Sequence, residues 1–179
     1  MKNDILEILI NEDEIKEKAK ELGEKITQDY KDKDLMLVGV LKGCVLFLSD
    51  LAREIKLPLS MDFMVVSSYG TSTKSSGVVR IVKDLEKDIT GKDVLIVEDI
   101  VDTGLTLNYL VDYLLSRNAN SVKICTLLEK PDRRIAKVKM DYVGFHIPDE
   151  FVVGYGLDYA EIYRNLPFVC VLKPEVYSK

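Results

Sequence analysis

Apolar residues recur along this chain with two different periods, and the switching between them sets out the elements. Ile15, Ala19, Leu22 and Ile26 fall at helical spacing among charged residues, and Asn11 with Glu14 has the spacing of a capping box, so residues 12–30 are predicted to form an amphipathic helix. Leu35 to Leu41 is an unbroken apolar run, the pattern of a strand buried on both faces. Cys44 to Ile55 is predicted as a helix that Pro58 closes off, and Met61 to Ser67 as a strand centred on Val65 and Val66. Val78 to Val82 and Val94 to Val97 are further strands, residues 104–116 a helix, and Val122 to Leu128 and Tyr142 to Phe145 strands again, with Phe168 to Leu172 as a last apolar run. Only a short amphipathic segment precedes the first helix. Strand-then-helix alternation with apolar, β-rich strands predicts an α/β fold, a mostly parallel twisted sheet flanked by helices. No internal repeat or linker divides the chain.

One of these strands ends unusually. The run Val94-Leu95-Ile96-Val97-Glu98-Asp99-Ile100-Val101-Asp102-Thr103-Gly104-Leu105-Thr106-Leu107 passes from apolar strand into three carboxylates and then into a loop suited to phosphate. Phosphate is held by backbone N–H groups, hydroxyls and a helix N-terminus, which Thr103, Gly104 and Thr106 supply if a helix starts near residue 104. Ionised Glu98 and Asp99, by contrast, only accept hydrogen bonds. A ligand satisfying both carries a phosphate at one end and donor hydroxyls, a bound cation or developing positive charge a few ångströms away, and a 5-phosphorylated ribose fits. A plain buried strand followed by a helix capped by Asp102 or Thr103 accounts for Val94 to Val97 and for Thr103 to Gly104. It leaves unexplained the adjacent acids at the carboxyl end of the strand, where ligands of open α/β sheets bind.

Four other segments carry chemistry. Leu41-Lys42-Gly43 joins a strand to a helix, again at a ligand-binding position of such sheets. Ser67 to Gly77 is eleven residues rich in small hydroxyl side chains, with Tyr69, Lys74 and two glycines; it joins two strands that seldom need so long a connection, and is expected to be a lid rather than a linker. Leu128-Glu129-Lys130 places a lysine at a strand end. Val153-Gly154-Tyr155-Gly156-Leu157-Asp158-Tyr159, followed by Arg164, combines glycines that allow close backbone approach with one acid and one arginine.

The 94–107 run resembles the 5-phosphoribosyl-1-pyrophosphate (PRPP) loop of type I phosphoribosyltransferases, and the other segments extend the resemblance, over nearly the whole chain, to the hypoxanthine-guanine phosphoribosyltransferases. The resemblance implies transfer of 5-phosphoribosyl from PRPP to N9 of hypoxanthine or guanine, giving IMP or GMP and pyrophosphate, with Mg²⁺. It implies that residues 102–106, Leu105 among them, fix the 5-phosphate, that Glu98 and Asp99 hold the ribose hydroxyls and serve the metal, and that Asp102 handles the purine N7 proton. Backbone N–H groups of the Leu41-Lys42-Gly43 turn, with a cis peptide between Leu41 and Lys42, and Arg164 are implied to hold pyrophosphate. Lys130 is implied to donate to the 6-oxo group, Phe151 to stack on the base, the Val152 backbone to meet the ring's other edge, and Asp158 to lie at the base and hold Mg²⁺ through water. Ser67 and Tyr69 are implied to close over the substrates. An ammonium offers only donors, so Lys130 favours a 6-oxo acceptor and mispairs with the 6-amino group of adenine. A core of about 12–145 with a small hood from the N-terminal residues and about 146–179, and a homodimer or homotetramer, are also implied. The competing readings are a non-catalytic PRPP-binding regulator of the same fold and an enzyme preferring xanthine.

Composition narrows these readings. With 179 residues, 47% hydrophobic and 31% charged, the chain is expected to form one domain burying roughly 70% of its unfolded surface. A net charge of −5 and a pI near 5.1 disfavour nucleic acid as the main partner, and with it the regulator. Lys2, Asn3 and Asp4 open no signal-peptide pattern and no apolar run reaches membrane-spanning length, so a cytoplasmic location is expected. Cys44, Cys125 and Cys170 are far apart in apolar surroundings and are expected to be buried reduced thiols. His146 is the only histidine, which excludes multi-histidine metal sites; no role is assigned to it.

Overall fold

The computed structural model describes residues 1–68 and 79–177. In chain order its main elements are β1 (Ile5–Ile10), α1 (Glu12–Asp29), β2 (Leu35–Leu41), α2 (Val45–Glu54), β3 (Leu59–Ser68), β4 (Val79–Lys83), β5 (Asp93–Val101), α3 (Leu105–Ser116), β6 (Ser121–Glu129), β7 (Tyr142–His146), β8 (Val152–Val153), β9 (Val169–Leu172) and the single turn α4 (Pro174–Tyr177). The capping box on α1 is present in both directions: Glu14 N–H donates to Asn11 Oδ1 at 2.9 Å, and Asn11 N–H to Glu14 Oε2 at 2.8 Å. The buried stripe of α1 is Ile15, Ala19, Leu22, Gly23 and Ile26. Gly23 is where α1 meets α2, since a Cβ there would stand 2.5 Å from the Glu54 Cβ.

Six strands form the main sheet in the order β4-β3-β2-β5-β6-β7. All neighbours are parallel except the edge strand β4, which runs antiparallel to β3. β2 is buried along nearly its whole length because both faces are covered. One apolar cluster joins α1 and α2 to the sheet through Ile15, Phe47 and Leu51; the other packs Leu107, Leu110 and Leu114 of α3 on the opposite face. Each such side chain contributes roughly 1.5–3 kcal/mol on burial. From β2 the chain steps one way to β3, and from β5 the other way to β6, so the topological switch point lies between β2 and β5. The turn at 41–43 and the acidic loop after β5 both emerge there.

A second sheet, ordered β1-β9-β8, is antiparallel throughout and gathers the two ends of the chain. Its own core is Val153, Tyr163, Leu166, Cys170 and Leu172. Asp4 fastens it, accepting from the Tyr163 hydroxyl at 3.0 Å and, through its carbonyl, from Lys173 N–H at 2.8 Å. The strands β1 and β8 were not expected. β1 is almost uniformly apolar rather than alternating, and its partner β9 lies some 160 residues away; β8 is two residues long. All three cysteines are free and buried.

Candidate active site

Glu98 and Asp99 sit at the end of β5 and line a polar cavity of about 250 Å³ together with Asp102, Thr103, Gly104 and Thr106. Burial, and then the adjacent Asp99 charge, raises the Glu98 carboxyl well above the usual carboxylate range. Burial likewise pushes Asp99 up to about 6, against the opposing bond that its Oδ1 accepts from Ile100 N–H at 2.8 Å. Two half-buried acids side by side favour a ligand that brings donors or positive charge. The helix after them starts at Leu105, with Gly104 as N-cap at φ 78, rather than with Asp102 or Thr103 as cap. Gly104 is required by that left-handed backbone, and the Arg134 and Val138 side chains close behind it leave a Cβ only 3.0 Å of room. The first turn of α3 thereby starts at the cavity, with Thr106 and Leu107 in its lining and the Leu105 N–H donating to Thr103 Oγ1 at 3.4 Å. Thr103 is anchored by its carbonyl, which accepts from Ile135 N–H at 3.0 Å and Ala136 N–H at 2.9 Å.

Asp102 also lines a second, more open cavity of about 450 Å³, with Lys130, Arg133, Asp149, Phe151 and Tyr177. Lys130 follows β6, is 8% exposed, and holds its ammonium 3.7 Å from Asp102 Oδ1 and 3.6 Å from Asp149 Oδ1. Asp102 Oδ1 is buried with no hydrogen-bond partner. Phe151 is 39% exposed, with its ring 5.0 Å from that of Tyr177 and 5.8 Å edge-on from that of Tyr159. The Val152 side chain is buried, and its backbone pairs with Val171 in the second sheet, next to the exposed Phe151.

The turn after β2 forms a third corner. The Leu41-Lys42 peptide is cis. Gly43 is pressed against the acids, since a Cβ there would fall 1.7 Å from Asp99 Oδ2. Gly156, at φ 101, abuts the same turn: its Cβ would fall 2.0 Å from the Gly43 carbonyl oxygen. Arg164 donates to the Gly156 carbonyl at 2.8 Å and pairs with Asp158 Oδ1 at 2.8 Å, while Asp158 Oδ2 accepts from Glu161 N–H at 2.9 Å. The strands and the 154–164 loop therefore bring together Leu41, Lys42, Gly43, Asp158 and Arg164 as one cluster, beside the acids of β5. Ser67 is exposed at the end of β3; Tyr69 and the rest of the expected lid through residue 77 lie outside the described residues.

Residues 6–160 match the model of the phosphoribosyl transferase domain. The chain belongs to the phosphoribosyltransferase family. It is 58% identical over 178 residues to a hypoxanthine-guanine phosphoribosyltransferase of Bacillus subtilis, covering 99% of each chain, and 54% identical to one of Streptococcus pyogenes, covering 100% of this chain and 99% of that one. A solved hypoxanthine phosphoribosyltransferase from Staphylococcus aureus has a TM-score of 0.98 at 55% identity, covering 100% of this chain and 97% of that one. No helix among the described residues is long and apolar enough to cross a membrane.

Several residues at this phosphoribosyltransferase site were missed in the sequence. Asp149 pairs with Lys130 and Arg133, and its one signal is an acid just beyond a strand, after Pro148. Glu161 bonds Lys42 at 2.9 Å, which a run of alternating charge does not reveal. Tyr177 reaches the second cavity from a terminal segment with no motif. Behind Gly104, Arg134 pairs with Glu129, whose other oxygen lies 3.3 Å from His146 Nδ1, giving the lone histidine a structural neighbour.

Proposed function

We propose that the chain transfers the 5-phosphoribosyl group of PRPP to N9 of hypoxanthine or guanine, releasing pyrophosphate and forming IMP or GMP. The observation that carries the reading is the position of Asp102, which lines both cavities and leaves one buried oxygen without a partner. With phosphoribosyl on one side and purine on the other, the new C1–N9 bond forms beside that carboxylate. The C1–O bond to pyrophosphate breaks as N9 attacks, and Asp102 accepts the proton leaving N7.

Each remaining residue has a chemical task in this reading. The N–H groups at the start of α3, with Thr103 and Thr106, hold the 5-phosphate, and Glu98 and Asp99 accept from the ribose hydroxyls and favour the cationic transition state. Lys130 donates to the purine 6-oxo group, Phe151 stacks on the ring, and Ser67 and Tyr69 close over both substrates. Arg164 and the Lys42 turn bind the pyrophosphate being released.

The residues present fit Mg²⁺. Adjacent raised acids on a polar cavity are relieved by a divalent cation. That suits an ion held by one or two carboxylates and completed by substrate oxygens and water. Glu98 and Asp99 would hold it directly or through the ribose hydroxyls, and Asp158 through water. The ion supplies neutralisation of the charge that develops on pyrophosphate.

A coupled assay of hypoxanthine, guanine, xanthine and adenine, each with PRPP and with or without Mg²⁺, tests this. Metal-dependent IMP and GMP with little AMP is the expected result. AMP formed as fast as IMP would overturn the base assignment, and faster XMP would favour a xanthine enzyme.

A further inference from the structure

Glu161 occupies an unusual position for an acid. It lies in the loop whose Arg164 and Asp158 flank the turn at 41–43, and its carboxylate bridges the two cations of that corner, 2.9 Å from Lys42 Nζ and 3.5 Å from Arg164. The pair with Lys42 spans 119 residues and joins the second sheet's loop to the switch-point turn. Glu161 and the preceding Ala160 both hold left-handed backbone, at φ 63 and 51, which turns the carboxylate back toward Lys42. The Arg164 Nε is buried and has no hydrogen-bond partner, so the guanidinium retains a donor after its bonds to Gly156 and Asp158 are made.

We propose that Glu161 is a built-in stand-in for the leaving pyrophosphate, an anion that holds Lys42 and Arg164 together and must be displaced when a polyphosphate binds. This rests on the phosphoribosyl-transfer reading above. An acid that merely stabilised the loop would sit with one cation at its edge, whereas this one spans the two groups assigned to a single ligand. A pyrophosphate group offers several anionic oxygens and bonds both cations better than one carboxylate. Binding it nevertheless breaks the Glu161 contacts and leaves that carboxylate beside a polyanion. On the way out, Glu161 closes behind the leaving group. The residue therefore lowers pyrophosphate affinity and speeds its release.

The test is titration of the full chain with pyrophosphate in the presence of Mg²⁺, together with steady-state kinetics, for wild type, Glu161→Gln and the charge control Glu24→Gln. Glu24 is exposed on α1. Exposed ion pairs are individually weak, so removing the competing charge should tighten pyrophosphate about two- to five-fold and lower the KM for PRPP by a similar factor. The KM for purine should be unchanged, and pyrophosphate dissociation slower. The gain should shrink as salt rises, and Glu24→Gln should match wild type. Unchanged or weaker pyrophosphate binding in Glu161→Gln, with an active wild type, would overturn the proposal and leave Glu161 as a loop support. A wild type that neither binds pyrophosphate nor transfers phosphoribosyl would instead remove the underlying reading.

Discussion

Asp102 Oδ1 lies 3.7 Å from the ammonium of Lys130, close enough to feel its charge and too far to be engaged by a hydrogen bond. On the reading proposed above, the acid that takes the N7 proton and the cation that reads the 6-oxo group lie side by side, as N7 and O6 do along one edge of a 6-oxopurine. Asp149 lies 3.6 Å from the same ammonium, so Lys130 is shared between two carboxylates. One purine edge meets both groups at once.

Asp102→Asn keeps the shape of the loop and removes the proton acceptor. Turnover should fall by roughly 10²–10⁴ with the affinity for PRPP and IMP nearly intact. Single-turnover rates alongside nucleotide binding check this, and near-normal turnover would reduce Asp102 to a shaping role.

On the proposed reading, Lys130→Ala removes a charge-assisted hydrogen bond to the base and leaves Asp102 without its cation, while Asp149 keeps Arg133. The purine KM should rise by about 10–100-fold while the KM for PRPP holds. Measuring both constants on one preparation separates the effects; equal losses for both substrates would indicate general disruption of the site.

Gly43→Ala places a methyl where Asp99 Oδ2 now sits. The carboxylate is the movable partner, so the fold should survive with little change in melting temperature. Misplacing that acid by about 1 Å should still lower kcat/KM by on the order of 10²-fold. A variant both stable and fully active would show that Asp99 tolerates a different position.

The raised Asp99 carboxyl ties stability to pH. Its folded value near 6 exceeds the ordinary 3.8, so between those values the folded chain holds more protons than the unfolded one, and stability falls as pH rises. The gap corresponds to on the order of 3 kcal/mol, fully lost above pH 6. Asp99→Asn should therefore raise the melting temperature by about 5–10 °C at pH 7.5 without substrates, and by little at pH 3.5. Thermal scans across that range decide it, with an equal shift at both pH values arguing against ionisation as the cause.

Most of the main sheet was legible because its elements carry strong local signals. Asn11 and Glu14 mark the start of α1, Leu35 to Leu41 can only be a covered strand, and Glu98 with Asp99 breaks the apolar run of β5 where the ligand cavity begins. The second sheet was harder to read. β1 and β8 owe their pairing to β9 rather than to their own periodicity, and the contacts that complete the site, Lys42 with Glu161 and Lys130 with Asp149, cross 119 and 19 residues of chain. Gly104 as N-cap was missed because glycine ranks below the nearby Asp102 and no better than Thr103 as a cap until the left-handed backbone is known.

The abutment of Gly156 on the Gly43 carbonyl has a mechanical meaning. Contacts between side chains can be retuned by a change of rotamer, but here backbone bears on backbone, so a displacement of one segment must be met by the backbone of the other. Tyr155, the residue before Gly156, donates its hydroxyl to Asp50 of α2 at 2.5 Å, so the same stretch of chain grips the helix that leaves the turn. One short segment thus touches both the turn, through Gly156, and the helix that follows it, through Tyr155. On the proposed reading, the leaving-group corner combines a braced backbone with exchangeable side chains such as Glu161, and motion of the turn should carry the 154–164 loop with it.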